Sequence, residues 1–265
     1  MKKILIFIAL TCVVFSIQAH PWKPGHFVII DTDGGIDDFR TISMLLASPD
    51  IRVLGITITP GVLQGDEAYL KVKALLKRYY HEGIPVGINN SPEIKPRDFP
   101  VARSFAWGES PAIEGTKDDA LNVIKYLYQH STDSIHFVCL GSLNIIPKAM
   151  DQVPQFSAKT AEILWSAHNF QKDDCLNYLL DKEAYKKASS SLIPLKIIDG
   201  KSLPTDALDL TFQNELDKVQ NAYALPVKQS LNLNHLMSYD ETIALYMHFP
   251  ELFENALKIN SALEY

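Results

Sequence analysis

The chain is poor in cysteine, with three in 265 residues. Cys12 lies in an apolar amino-terminal run, which leaves Cys139 and Cys175 for the rest. Two thiols exclude a disulfide framework as the basis of the fold, and zinc-type Cys/His spacing is missing. An exported chain could join Cys139 to Cys175, a pairing whose geometry the sequence does not fix. Positive charge is also short: 25 Lys and Arg stand against 31 Asp and Glu, a net charge of −6. That balance argues against a general nucleic-acid binder, which carries a basic excess or stripe. Repeats, low-complexity tracts and linkers are lacking, as is any Ser-His-Asp arrangement in a recognisable context. Beyond the amino terminus, no apolar run is long enough for a membrane span.

The amino terminus is built differently. Lys2 and Lys3 precede an almost wholly apolar stretch over 4–17, and Gln18-Ala19 then offers a small residue for cleavage before His20, Pro21 and Pro24. This layout predicts a signal peptide over 1–19, too short and wrongly flanked for a durable span. The expected destination is secreted or periplasmic. Residues 20–265, about 245 of them, are within the range of a single α/β domain with a sizeable core.

Short apolar runs ending in polar or glycine-containing loops alternate with amphipathic segments. Strands are expected at 27–30, 53–58, 84–87, 134–140, 161–165 and 195–198, and helices at 37–47, 65–80, 118–130 and from 144 to 150. The alternation predicts an α/β fold, a mainly parallel Rossmann-like sheet flanked by helices. Ligands of such sheets bind beyond the carboxyl ends of the strands, which directs attention to the loops after Ile30, Ile58, Leu140 and Trp165.

The first of those loops reads Asp31-Thr-Asp33-Gly-Gly-Ile-Asp37-Asp38, four carboxylates in eight residues. Clustered carboxylates repel one another and need a neutralising partner. A hard cation such as Ca²⁺ or Mg²⁺ supplies it through oxygen coordination. Gly34 and Gly35 let the backbone turn tightly enough for the acids to converge, and Asp37 and Asp38 suit the positive end of the helix they open. A helix-capping turn alone needs one aspartate rather than four.

The segment from Val28 through this loop resembles the amino-terminal signature of the inosine-uridine-type nucleoside hydrolases, with Gly34 as a mild exchange for the usual proline. Similarity continues in order through Leu54-Gly-Ile-Thr-Ile-Thr59, Leu140-Gly-Ser-Leu-Asn144, Asn177 with Asp181-Lys-Glu-Ala184, and Tyr239-Asp240 followed by Pro250-Glu-Leu-Phe253. The resemblance implies Ca²⁺-dependent hydrolysis of the N-glycosidic bond of ribonucleosides, small-molecule substrates used in purine and pyrimidine salvage. It also implies a homo-dimer or homo-tetramer. By position, Asp33, Asp38, Asp240 and the main-chain carbonyl of Asn144 resemble calcium ligands, and Asp33 resembles the base that deprotonates a metal-bound water. Asp37, Asn169, Asn177 and Asp240 resemble substrate-binding residues. Tyr239 stands where several relatives place a leaving-group histidine, so it is the catalytic candidate there.

Two further positions depart from the pattern. Val62 replaces an asparagine in the loop after the second strand, and Cys175 replaces a glutamate in the sugar-binding element. Aromatic stacking could activate the departing base instead, with Trp107, Trp165 and Tyr239 as candidates. His136, within a strand pattern, reads as a buried hydrogen-bonded residue, whereas His168 draws notice beside Asn169. Two alternatives stay open: a non-catalytic or substrate-shifted relative that binds a ribosyl ligand, and a haloacid-dehalogenase-type phosphohydrolase with Asp31-x-Asp33 as its nucleophile loop.

Overall fold

The computed structural model describes residues 23–110, 116–168, 174–200, 210–234, 239–253 and 257–259. The expected signal peptide and Asn169 lie outside these residues.

Strand β1 (His26–Thr32) carries five consecutive buried residues at its carboxyl end, the mark of a strand covered on both faces. Its side chains alternate as a strand requires: Val28 and Ile30 enter one core, Ile29 the other. The further strands are β2 (Ile51–Ile58), β3 (Val86–Ile88), β4 (Asp118–Asp119), β5 (Ile135–Cys139), β6 (Thr160–Ser166), β7 (Leu195–Ile198) and β8 (Leu257–Ile259). They form one sheet in the order β4-β3-β2-β1-β5-β6-β7-β8. All pairings are parallel except that of β8, which runs antiparallel to β7.

Helices cover both faces. On the first, α1 (Ile36–Ala47) and α2 (Gly65–Arg78) bury Phe39, Ile42, Val72 and Leu75. On the second, α3 (Ala120–His130), α4 (Ile145–Gln152) and α5 (Lys182–Ser189) bury Ile124, Ile145 and Ala188. Two later helices, α6 (Ala224–Ser230) and α7 (Glu241–His248), return to α1. The chain thus leaves β1 toward β2 on one side and comes back to β5 on the other. The loops after β1 and β5 diverge at that switch and open a crevice.

The expected strands and helices are present, with boundaries shifted by a few residues. Asp118 and Asp119 pair with β3, and Asp119 then caps α3 by accepting from the Leu121 and Asn122 amides. α2 ends at Arg78, and Tyr80 follows at φ 59°. Trp107 and Trp165 are fully buried, and both stack within the cores, on Phe39 and Tyr185 respectively. Neither can reach a ligand. Cys139 and Cys175 are free buried thiols.

A polar ladder crosses the middle strands. His26 and His136 approach to 3.3 Å, and His136 Nδ1 lies 3.1 Å from Glu162 Oε1. Glu162 also pairs with Lys196, whose Nζ donates to Tyr246 Oη of α7 at 2.6 Å. His136 is the hydrogen-bonded strand residue the sequence suggests, but it is only partly buried. No helix among the described residues is long and apolar enough to cross a membrane.

Candidate active site

Asp31 is still in strand register, opposite Thr57 and Cys139. Its Oδ1 accepts from Thr57 Oγ1 at 2.6 Å, and burial pushes its carboxyl up to about 7 against the pull of Thr57 and Thr59. A nucleophile must reach its substrate, and Asp31 is fully buried in the sheet. The phosphohydrolase reading loses its key residue.

Beyond Thr32 the chain folds back on itself. Asp38 Oδ1 accepts from both Thr32 Oγ1 (2.5 Å) and the Asp33 amide (3.0 Å), while the Gly34 amide donates to Thr32 Oγ1 (3.2 Å). Gly34 sits at φ +89°, open to glycine but closed to proline, whose ring holds φ near −65°. The exchange at this position is therefore not mild: the family's usual residue could not occupy this backbone conformation. Asp33 is enclosed by Gly61 and Gly141, where a Cβ would overlap its side chain. Asp33 Oδ2 is buried without a hydrogen-bond partner.

The remaining acids come from α1 and the start of α7. Arg40 of α1 forms a buried ion pair with Glu241 of α7 and donates to the Ser230 carbonyl of α6 at 3.3 Å. This brace fixes the first turn of α1, with Asp37 and Asp38, against Asp240 at the amino-terminal cap of α7. One carboxylate oxygen from each of Asp37, Asp38 and Asp240 lies within 4.8 Å of the others. Burial, then Asp38 and Asp37, hold the Asp33 carboxyl well above the usual range. Burial, then Asp38 and Glu241, push Asp37 up to about 7 against Arg40. Asp240 is raised by burial, then by Asp37 and Asp38. The donor set is all oxygen, and the unpartnered Asp33 Oδ2 lies beside it. Both suit a hard divalent cation.

These groups form one end of a cavity of about 390 Å³. Val62, Phe99, Val101, Leu176 and Leu233 make an apolar wall, and Ser166, Asn177, His168 and Tyr239 complete the lining. The rings of His168 and Tyr239 stack at 4.6 Å and 18°. Asn177 Nδ2 donates to the Leu140 and Ser166 carbonyls at 2.6 and 2.9 Å. Both amide hydrogens are thereby used, so Asn177 can offer a ligand only its carbonyl oxygen.

The Asn144 side chain turns away from the acids. Its Oδ1 accepts from Asn89 and Ser91, and its Nδ2 donates to Glu93 and Asp181, all within 2.9 Å. That full complement leaves the main-chain carbonyl as the atom with which Asn144 could serve a metal. Cys175 lies in the second core, whereas Val62 and Tyr239 face the cavity. Sequence reasoning missed Arg40, Glu241 and the network of Asn89, Ser91, Glu93 and Lys148 around Asn144. Their partners are scattered along the chain, with no local pattern to find.

A family model described as inosine-uridine preferring nucleoside hydrolase matches residues 28–264. The probable uridine nucleosidase 1 of Oryza sativa subsp. japonica is 25% identical over 146 residues, 52% of this chain and 45% of that protein. This chain thus spans less than half the length of that relative. The non-specific ribonucleoside hydrolase RihC of Klebsiella pneumoniae is 24% identical over 249 residues, covering 85% of this chain and 80% of its own. The solved inosine-uridine preferring nucleoside hydrolase of Bacillus anthracis superposes with a TM-score of 0.71 at 17% identity, over 86% of this chain and 83% of that one. The family match takes in the acidic loop, the sheet and Asp240 together, and the chain belongs to the inosine-uridine preferring nucleoside hydrolase family.

Proposed function

We propose that the chain hydrolyses the N-glycosidic bond of ribonucleosides to base and ribose, with Ca²⁺ held at the acidic end of the cavity. The observation that carries this reading is the convergence of Asp37, Asp38 and Asp240 beside the unpartnered Asp33 Oδ2, opposite an apolar wall. A nucleoside has the same two-sided character: a polyol sugar and a flat, largely apolar base.

Asp38 and Asp240, with Asp37 brought beside them, would hold the cation, and the resemblance adds Asp33 and the Asn144 carbonyl. When bound, the cation supplies Lewis acidity, neutralising the carboxylates and making a nearby water easier to deprotonate. Asp33 Oδ2 takes the proton as that water attacks the anomeric carbon, a general-base contribution of about 10²–10⁴-fold. Asp37 and Asn177 Oδ1 accept from sugar hydroxyls together with Asp240, and the resemblance assigns Asn169 the same task. The negative field of the cluster favours the oxocarbenium-like transition state. The apolar wall receives the base, against which Tyr239 presents its ring. Val62 lines the cavity where the family resemblance expects asparagine, which puts an apolar surface in place of a polar sugar contact.

The basic, then apolar, then small-residue layout of 1–19 supports export, to the periplasm or the medium, as a single domain. Family membership supports a dimer or tetramer. The test is base release from a panel of purine and pyrimidine ribonucleosides by the mature chain, with calcium and with chelator. Calcium-dependent release from at least one substrate is expected. Tight calcium binding with no release across the panel would sink the hydrolase reading and leave a riboside-binding relative.

A further inference from the structure

The acidic end of the cavity accounts for the attacking water and the sugar, but the departing base also needs help. As the C1′–N bond breaks, its electron pair moves onto a ring nitrogen that must be protonated or otherwise stabilised. Tyr239 carries a phenol, a weaker proton donor near neutrality than an imidazolium. His168 shares the cavity lining with Tyr239. An imidazole ordinarily titrates near 6.5, so its donor and acceptor forms are both accessible there.

The structure also holds this imidazole in place. His168 follows β6 by two residues. The Ser166 carbonyl at the end of that strand is tied by Asn177 Nδ2, which also binds the Leu140 carbonyl at the end of β5. The His168 ring then lies nearly parallel to that of Tyr239, 4.6 Å between centroids and 18° between planes. An aromatic face so placed favours a cationic partner.

We propose that His168 is a catalytic residue of this site, donating a proton to the leaving base, and that Tyr239 is its positioning partner. The inference rests on the hydrolase reading above. The atoms balance: water gives hydroxide to the anomeric carbon and a proton to Asp33, the C1′–N bond breaks, and His168 protonates the base nitrogen. Solvent then removes the proton from Asp33 and returns one to His168.

Leaving-group chemistry tests this. A 4-nitrophenyl riboside releases a phenolate that needs no proton, so it reports the sugar-side machinery alone. His168→Gln should lower kcat on the best ribonucleoside by about 10²-fold or more, yet lower it only a few-fold on the 4-nitrophenyl riboside. Equal losses on both substrates would overturn the proposal, because they would mark a merely structural histidine. Tyr239→Phe keeps the ring stack and should lose only a few-fold on the ribonucleoside, while Tyr239→Leu should approach His168→Gln. If Tyr239→Phe falls as far as His168→Gln, the phenol is the donor and the proposal fails. If the wild-type chain cleaves neither substrate, the hydrolase reading itself has failed, independently of His168.

Discussion

Two groups of ionisable side chains share this sheet and solve the burial of charge in opposite ways. The ladder His26–His136–Glu162–Lys196 mixes basic and acidic groups, and Glu162 has a basic partner on either side. The cluster Asp37, Asp38 and Asp240, with Asp33 beside it, is of one sign, and the adjacent cation, Arg40, is engaged with Glu241. Burial disfavours the charged form in both places. At Glu162, hydrogen bonds from His136 and Lys196 outweigh it and hold the carboxyl below its ordinary range. At Asp33, Asp37 and Asp240, like charges add to it. The first set carries its countercharges within the chain, whereas a cation from outside could neutralise the second.

The sharpest way to separate the two is Asp33→Asn. Hydrolysis should fall by about 10³-fold or more, while the melting temperature in calcium-free buffer holds or rises, since one buried repulsive charge is gone. Turnover within a few-fold of wild type would remove Asp33 from the base role. Calcium itself should have the next largest effect. At a free concentration near 100 Kd, linkage predicts about 2.7 kcal/mol of stabilisation, or roughly 5–10 °C in a domain of this size. Thermal melts with and without chelator measure it, and Asp240→Asn should erase most of the shift. A calcium shift that survives Asp240→Asn would place the ion elsewhere.

Breaking the ladder should cost stability and leave chemistry alone. Glu162→Gln removes a charge bound to His136 and Lys196 at a partly buried position, for an expected loss of about 1–3 kcal/mol in urea unfolding. The smallest expected effect is a difference in pH dependence. A carboxyl whose folded pKa is raised binds more protons folded than unfolded, so stability falls as pH rises across the gap. For Asp37 that contribution is complete below about 4 and is lost as pH rises through about 7. Glu162 has the opposite sign: its contribution is present above the unfolded value and is lost as pH falls through the lowered folded one. Without calcium the wild-type chain should therefore lose stability between about pH 4 and 7, and saturating calcium should flatten that slope. A slope unchanged by calcium would detach it from the acidic cluster.

Much of the fold was legible because its signals are local. The strands at β1, β2, β5, β6 and β7 are apolar runs that end in polar or glycine-bearing loops, and each appears where those runs lie. β8 escaped notice because it is three residues long and is defined by pairing with β7 from far along the chain. Asp118 and Asp119 looked like the start of a helix, yet their backbone first completes the sheet edge. The acidic loop was readable as a charge problem in a single segment. What it faces was not: Glu241 meets Arg40 across 201 positions, and His168 meets Tyr239 only after folding. Aromatic side chains were the least informative, since Trp107, Trp165 and Tyr239 look alike in sequence and only Tyr239 borders the cavity.

The left-handed Gly34 bears on how this chain can change over generations. Proline, the residue the family resemblance expects here, would demand a rotation of about 150° in φ and would lose the bond from the Gly34 amide to Thr32 Oγ1. Proline is thus closed to this site by single substitution. A proline placed at this site would be a structural novelty for this backbone, however conservative it looks on paper.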